Sequence, residues 1–401
     1  MPAGRVHFRA GFAAADITPD PAAGPVELSG YVAREQPATG VRDRLRAAVL
    51  ALGGDAGESR LLVGLDLCAL DAEAAERIAA SCPLPEASVV LCCSHTHGAP
   101  TTCPLLGCGE SDPAYVRRVA LAVGDAARRA VAGAVPCRLG WGRRPLPGPV
   151  PWGNRRDPAG PTDPRVHLLK VERADSTRQP VCAVWSLACH PVVFGSDNRL
   201  VSADWVGEVA RALPWPSLFL QGCCGDQNPL ARGEAGLAPW AAVASELSAL
   251  WNVTPTAAAG PLAFARQDVM LPRLPGDAVP PEPAAPRPAA AMARWAQTVA
   301  RPGAEVPPEP TAVTVARIGG GRVAFWPGEP HVALGLQLPA DCLAVGHAGG
   351  TVGYVPERAA YARGGYEVAE AHRYYARPSA LAPEAGEHLV AVSDALLRTL
   401  S

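Results

Sequence analysis

Lysine is almost absent from this 401-residue chain, and its arginines are dispersed with no basic block. With 36 basic and 38 acidic side chains the formal charge is −2. Nothing here builds the basic stripe that attracts nucleic acid or an anionic membrane surface. Long apolar runs are missing too. No segment approaches the roughly 18–20 apolar residues that span a bilayer, so no stable membrane association is expected. The first twenty residues carry Asp16 and lack a continuous apolar stretch with a small-residue cleavage site, and they read as an uncleaved cytoplasmic start. The G-x-S-x-G turn of serine hydrolases does not occur either.

Cysteine, by contrast, is plentiful. Twelve cysteines would suit a disulfide framework, but Cys68, Cys92, Cys93, Cys182 and Cys342 lie inside apolar runs, where a reduced thiol acts as a small hydrophobe. Cys92-Cys93 and Cys223-Cys224 are adjacent pairs, without the spacing that turns two thiolates onto one ion. Packing is their expected role.

With 48% hydrophobic residues the chain can bury a large core. Its 43 prolines and 40 glycines gather between periodic segments, as loops. Residues 45–52 and 60–67 flank a Gly-rich turn and read as paired strands; helical spacing follows at 72–80. Residues 87–93 read as a central strand buried on both faces, and 112–132 as a long amphipathic helix opened by Asp112-Pro113. After a Pro/Gly-rich loop at 146–164, strands are expected at 165–172, 181–187 and 218–221, with a helix capped by Ser202 between the last two. A Pro/Ala-rich excursion covers about 271–310, with a short helix near 290–299. Strands at 312–317, 322–326 and 342–346 and a helix at 383–400 complete an α/β chain. The expectation is a single catalytic domain over 1–401, with mixed β-sheets, flanking helices and a metal site built by loops at strand ends.

The chemistry concentrates in Leu91-Cys-Cys-Ser-His-Thr-His-Gly-Ala-Pro100. In an extended segment His95 and His97 face the same way, as two metal ligands or as a ligand and a proton handler; a hydrogen-bonded surface pair is the plain alternative. The same plan, an apolar strand followed by a metal-competent or catalytic residue and then Gly or Pro, recurs at His190, Asp226 and Glu329. Four such strand ends read as one site assembled by several loops.

These segments, taken together, resemble the neutral/alkaline (non-lysosomal) ceramidase family, zinc-dependent amidases, over most of the chain from Gly11-Phe-Ala-Ala-Ala-Asp-Ile-Thr-Pro19 to about Glu367. Ser94-His-Thr-His-Gly-Ala-Pro100 is similar to the family's S-H-T-H-S-G-P, and Cys189-His190-Pro191 to its N-H-G-T. Pro327-Gly-Glu329 matches its P-G-E, and Tyr354-Val-Pro-Glu-Arg-Ala-Ala-Tyr361 resembles Y-V-T-T-P-E-E-Y. The resemblance implies Zn²⁺ held by His95, His190, Glu329 and Tyr354. It also places His97, Arg155 of Asn154-Arg155 and Tyr366 of Gly365-Tyr-Glu367 beside the reacting centre. Asp226 is expected to orient a ligand histidine, while Arg155 has Asp157 and Asp163 as alternative loop partners.

Two departures stand out. Gly225-Asp-Gln-Asn-Pro229 carries Asn228 where the family has a serine proposed as nucleophile, and an amide cannot take that role. No counterpart of the family's immunoglobulin-like C-terminal domain is expected either. The expected activity is therefore a zinc-dependent amidohydrolase cleaving an N-acyl or lactam bond of a small soluble molecule through a zinc-bound water. The alternatives are a metal-dependent lyase or transferase of a specialised pathway, or a non-catalytic zinc-retaining binding protein. The sequence sets neither the substrate nor the oligomeric state.

Overall fold

In the computed structural model, residues 5–54, 59–278 and 286–400 are described. Strand alternation organises the core. In β2 (Arg46–Gly54) Ala47, Val49 and Ala51 face one layer, while Ala48, Leu50 and Leu52 face the other, and all six are buried. β2 lies antiparallel to β1 (Arg5–Asp16) and to β3 (Ser59–Leu65), and β3 lies parallel to β4 (Val89–Cys93). At its start β1 joins the rest of the sheet. Arg5–His7 pair with β9 (Ala259–Leu271), and Arg9 and Ala10 with β5 (Val135–Pro145). From β5 the ladder runs through β6 (Arg165–Arg173) and β7 (Pro180–Leu187) to β8 (Ser217–Gln221). From β9 it runs through β10 (Glu309–Ile318) and β11 (Gly321–Phe325) to β12 (Cys342–Val345).

The result is four layers. One face of β2–β4 (Val49, Val63, Leu91) packs on α1 (Ala72–Ala80) and α2 (Pro113–Ala132). Their other face (Leu50, Leu62, Val90) meets Val184, Leu220, Phe325 and Val345 of the larger arm. That arm's far side is covered by α3 (Asp204–Ala212) and α4 (Ala241–Val253) over Trp185 and Phe219, and by α6 (Ala385–Thr399) over Val313 and Val315. Each buried Leu, Val or Phe contributes about 1.5–3 kcal/mol of transfer free energy. Helix ends follow their sequence signals: Asp71 and Asp112 accept the backbone N–H of Ala74 and Ala114.

Within this large sheet three strand pairs are parallel among the described residues: β3 with β4, β7 with β8, and β11 with β12. Both members of a parallel pair end on the same edge, so the loops that leave them are neighbours. From these carboxyl ends come His95, His190, Asp226, Glu329 and His347.

Several expectations change. β4 is buried but ends its ladder, and a loop occupies its free edge: Cys93 N–H donates to the His347 carbonyl and Gly349 N–H to that of Leu91. The residue preceding α3 is Ala203, not Ser202, whose hydroxyl instead accepts the Asp204 N–H. The Pro/Ala-rich excursion supplies α5 (Pro286–Thr298), longer than expected; residues 279–285 within it lie outside the described residues. β5, β9 and α4 carry too many Gly, Pro, polar or evenly apolar positions to show a period.

Candidate metal centre and active site

His95 and His97 do converge, though not by strand alternation. The extended pairing ends at Cys93, and His95 takes a left-handed conformation (φ 69°) with its N–H on the Leu67 carbonyl at 2.9 Å. Such a backbone is costly for a residue with a Cβ and is typical of functional sites. It turns the two imidazoles edge to face at 5.0 Å, with Nε2 atoms 3.4 Å apart. Gln221, at the end of β8, donates to the carbonyls of Ser94 and Cys189 at 2.9 Å each, tying the His95 and His190 loops together.

Nε2 of His95 and Nε2 of His190 each lie 3.1 Å from the same oxygen, Oε2 of Glu329. All three side chains are buried. The far nitrogens are committed: Nδ1 of His95 meets the Cys68 carbonyl at 2.8 Å and Nδ1 of His190 the Gln227 carbonyl at 3.1 Å. A carbonyl only accepts, so each Nδ1 carries a proton and each neutral imidazole turns a lone pair toward the carboxylate. Burial is the strongest influence on His95 and opposes its charge, yet Glu329 and Cys68 together overcome it and hold that imidazole well above its ordinary range. At His190, burial and the charge of Arg155 prevail and bring the pKa down to about 4. Glu329 is raised by burial but held well below the usual carboxylate range by His95 and His190. One proton thus serves one imidazole and leaves His190 facing the carboxylate with a lone pair. A cation serves both, so these donors fit a divalent metal.

Around this cluster the sequence-derived residues gather. Arg155 Nη2 donates to the Tyr354 hydroxyl at 3.0 Å and to the Gly225 carbonyl at 2.7 Å, Nη1 to Asn228 Oδ1 at 3.3 Å, and Nε to Glu367 at 2.9 Å. Its carboxylate partner is Glu367, and Asp163 pairs with Arg165 instead. Tyr354 and Glu329 face each other in a short parallel pairing, and the Tyr366 ring stands edge-on to Tyr354 at 5.9 Å. Burial holds the Tyr354 phenol well above its ordinary pKa, against the pull of Arg155.

No protein-family model and no curated protein sequence matches the chain. Solved structures do. The crystal structure of neutral ceramidase from Pseudomonas aeruginosa aligns over 98% of this chain and 75% of its own, with a TM-score of 0.75 and 18% identity. A ceramidase complexed with C2 aligns over 98% and 76%, with a TM-score of 0.77 and 17% identity. This chain has the neutral ceramidase fold.

Within the ceramidase fold one expected role fails. Asp226 touches the far nitrogen of neither His95 nor His190. Its carboxylate accepts the Val332 N–H at 2.9 Å and Asn154 Nδ2 at 2.6 Å, because backbone carbonyls already hold both imidazoles. Its metal-competent neighbours are His331 and Glu357, beside a cavity of about 10 Å³ lined by Asp226, His331 and Glu367. Two residues escaped sequence reading. Tyr375 donates its hydroxyl to Glu329 Oε1. His347 (φ 55°) stacks on His95 at 4.1 Å and lies within ligand reach of His95 and Glu329. Gly-His347-Ala after an apolar run repeats the plan seen at the other strand ends, so that signal was present; nothing marked Tyr375. The cysteines are free, as expected.

Proposed function

We propose that this protein is a metal-dependent hydrolase that cleaves an amide bond of a small substrate, with Zn²⁺ held by His95, His190, Glu329 and Tyr354. The observation that carries this is the convergence of two imidazole Nε2 atoms on one carboxylate oxygen, with both outer nitrogens held by backbone carbonyls. When bound, zinc supplies Lewis acidity that polarises a carbonyl and makes water more acidic. The resemblance in fold to neutral ceramidases supports the reaction class.

The chain's own residues do the rest. His97, half-buried beside His95, is kept neutral by burial and by the two histidines near it, so it can accept a proton from water and pass it to the departing amine. Arg155 is fixed by its bonds to Glu367, Tyr354 and Asn228, and its charge favours the developing oxyanion. Asn228 lies within this network, and its amide has no proton to surrender at neutral pH; the attacking group is therefore water.

A panel of N-acyl amines and lactams tests the reading. Zinc-loaded protein should hydrolyse at least one member, releasing amine and carboxylate in equal amounts. A fully loaded protein that turns over none contradicts it.

A further inference from the structure

Arg34 is a buried cation with no carboxylate paired to it among the described residues. The residue is 3% exposed. Nε donates to the Asn198 carbonyl and Nη1 to the Ser29 carbonyl, each at 2.9 Å, while Nη2 is buried without a partner. Other buried or half-buried arginines have carboxylates: Arg273 pairs with Glu309, Arg155 with Glu367, and Arg287 with Glu27. Among the described residues none pairs with Arg34. An uncompensated charge in a low-dielectric interior is unfavourable, and guanidinium stays charged there.

Its position joins it to the site. Ser29 N–H donates to the Ala99 carbonyl, just past His97, and the Tyr31 hydroxyl to the Phe194 carbonyl, just past His190. The Arg34 guanidinium lies over the Tyr31 ring, 5.1 Å from its centre, and the same ring meets His97 edge-on at 4.7 Å. One aromatic ring therefore separates the unpaired cation from the histidine assigned to proton transfer.

Resting on the amide-hydrolase reading, we propose that Arg34 recognises an anionic group of the substrate: a carboxylate or similar oxyanion near the scissile amide engages its free Nη2. Tyr31, in contact with both Arg34 and His97, is the side chain that shifts to admit it. The anion can belong to the amine half or to the acyl half.

Matched substrates separate these sources. N-acetylglycine and N-acetylglycinamide place the charge, or its neutral replacement, on the amine side; N-methylsuccinamic acid and its methyl ester place it on the acyl side. In one arm, zinc-loaded full-length protein should favour the anion in kcat/KM by about 100-fold or more. Arg34→Gln should erase that preference by losing turnover of the anion alone, and Arg34→Lys should retain part of it. No preference in either arm, a preference that survives Arg34→Gln, or an equal fall for charged and neutral substrates would overturn the proposal. If no compound is hydrolysed the amide reading fails by itself, and calorimetric binding of the two anions then decides. Binding weakened at least about tenfold by Arg34→Gln supports the anion site; absent or unchanged binding refutes it.

Discussion

Two imidazoles meet one carboxylate oxygen at the end of three loops, and each has its outer nitrogen fixed by a backbone carbonyl. Changing a supporting residue of a metal site typically weakens binding by about 10–100-fold, so Glu329→Gln, which alters a proposed ligand, should weaken zinc binding by more than that in a chelator competition. Asp226→Asn should leave zinc affinity unchanged, because Asp226 holds Val332 and Asn154. It should instead cost about 1–3 kcal/mol of stability, read from the urea midpoint, since one amide would face another. Gly30→Ala isolates His97. Gly30 has φ 88°, and a Cβ there would stand 2.3 Å from the His97 ring. Turnover should fall while zinc stoichiometry stays the same. At this scale the motifs at His95, His190, Glu329 and Arg155 were legible, because each follows an apolar run or matches a family segment. Tyr375 was not, since a tyrosine in the turn after a short helix, distant in sequence, gives no local sign of the carboxylate it will meet. Asp226 was misread for the complementary reason: backbone carbonyls, which sequence does not place, already occupied its expected partners.

Among the elements, the three parallel strand pairs decide where the site lies. β4, β7, β11 and β12 were visible as short apolar runs, but their pairing was not, because a run buried on both faces has no period to reveal its neighbours. β6 carries a separate consequence. His167 on this strand is 6% exposed, and burial lowers its pKa to about 4, against an ordinary value near 6.5. As pH falls the unfolded chain takes up this proton first. The contribution to stability is complete above about pH 6.5 and is lost between there and pH 4, by at most ~3 kcal/mol. In His167→Gln the denaturant midpoint should depend less steeply on pH across that window. A slope identical to wild type would show that His167 titrates normally in the folded protein.

For the whole molecule, four layers bring together residues that lie far apart in the chain. His95 leaves the small arm of the sheet, His190 and Glu329 the large one, and β1 links the arms. The alternating apolar strands and the capped helices announced an α/β body; the branching at β1 was hidden because one strand serves two ladders in different registers. The central claim is that this convergence holds one metal required for amide cleavage. Its most direct test is to titrate metal-free protein with zinc while following hydrolysis of the best amide in the panel. Turnover should rise in proportion to added zinc, break at one equivalent per chain, and stay flat in Glu329→Gln. Turnover without zinc, or an equally sharp break in Glu329→Gln, would contradict it.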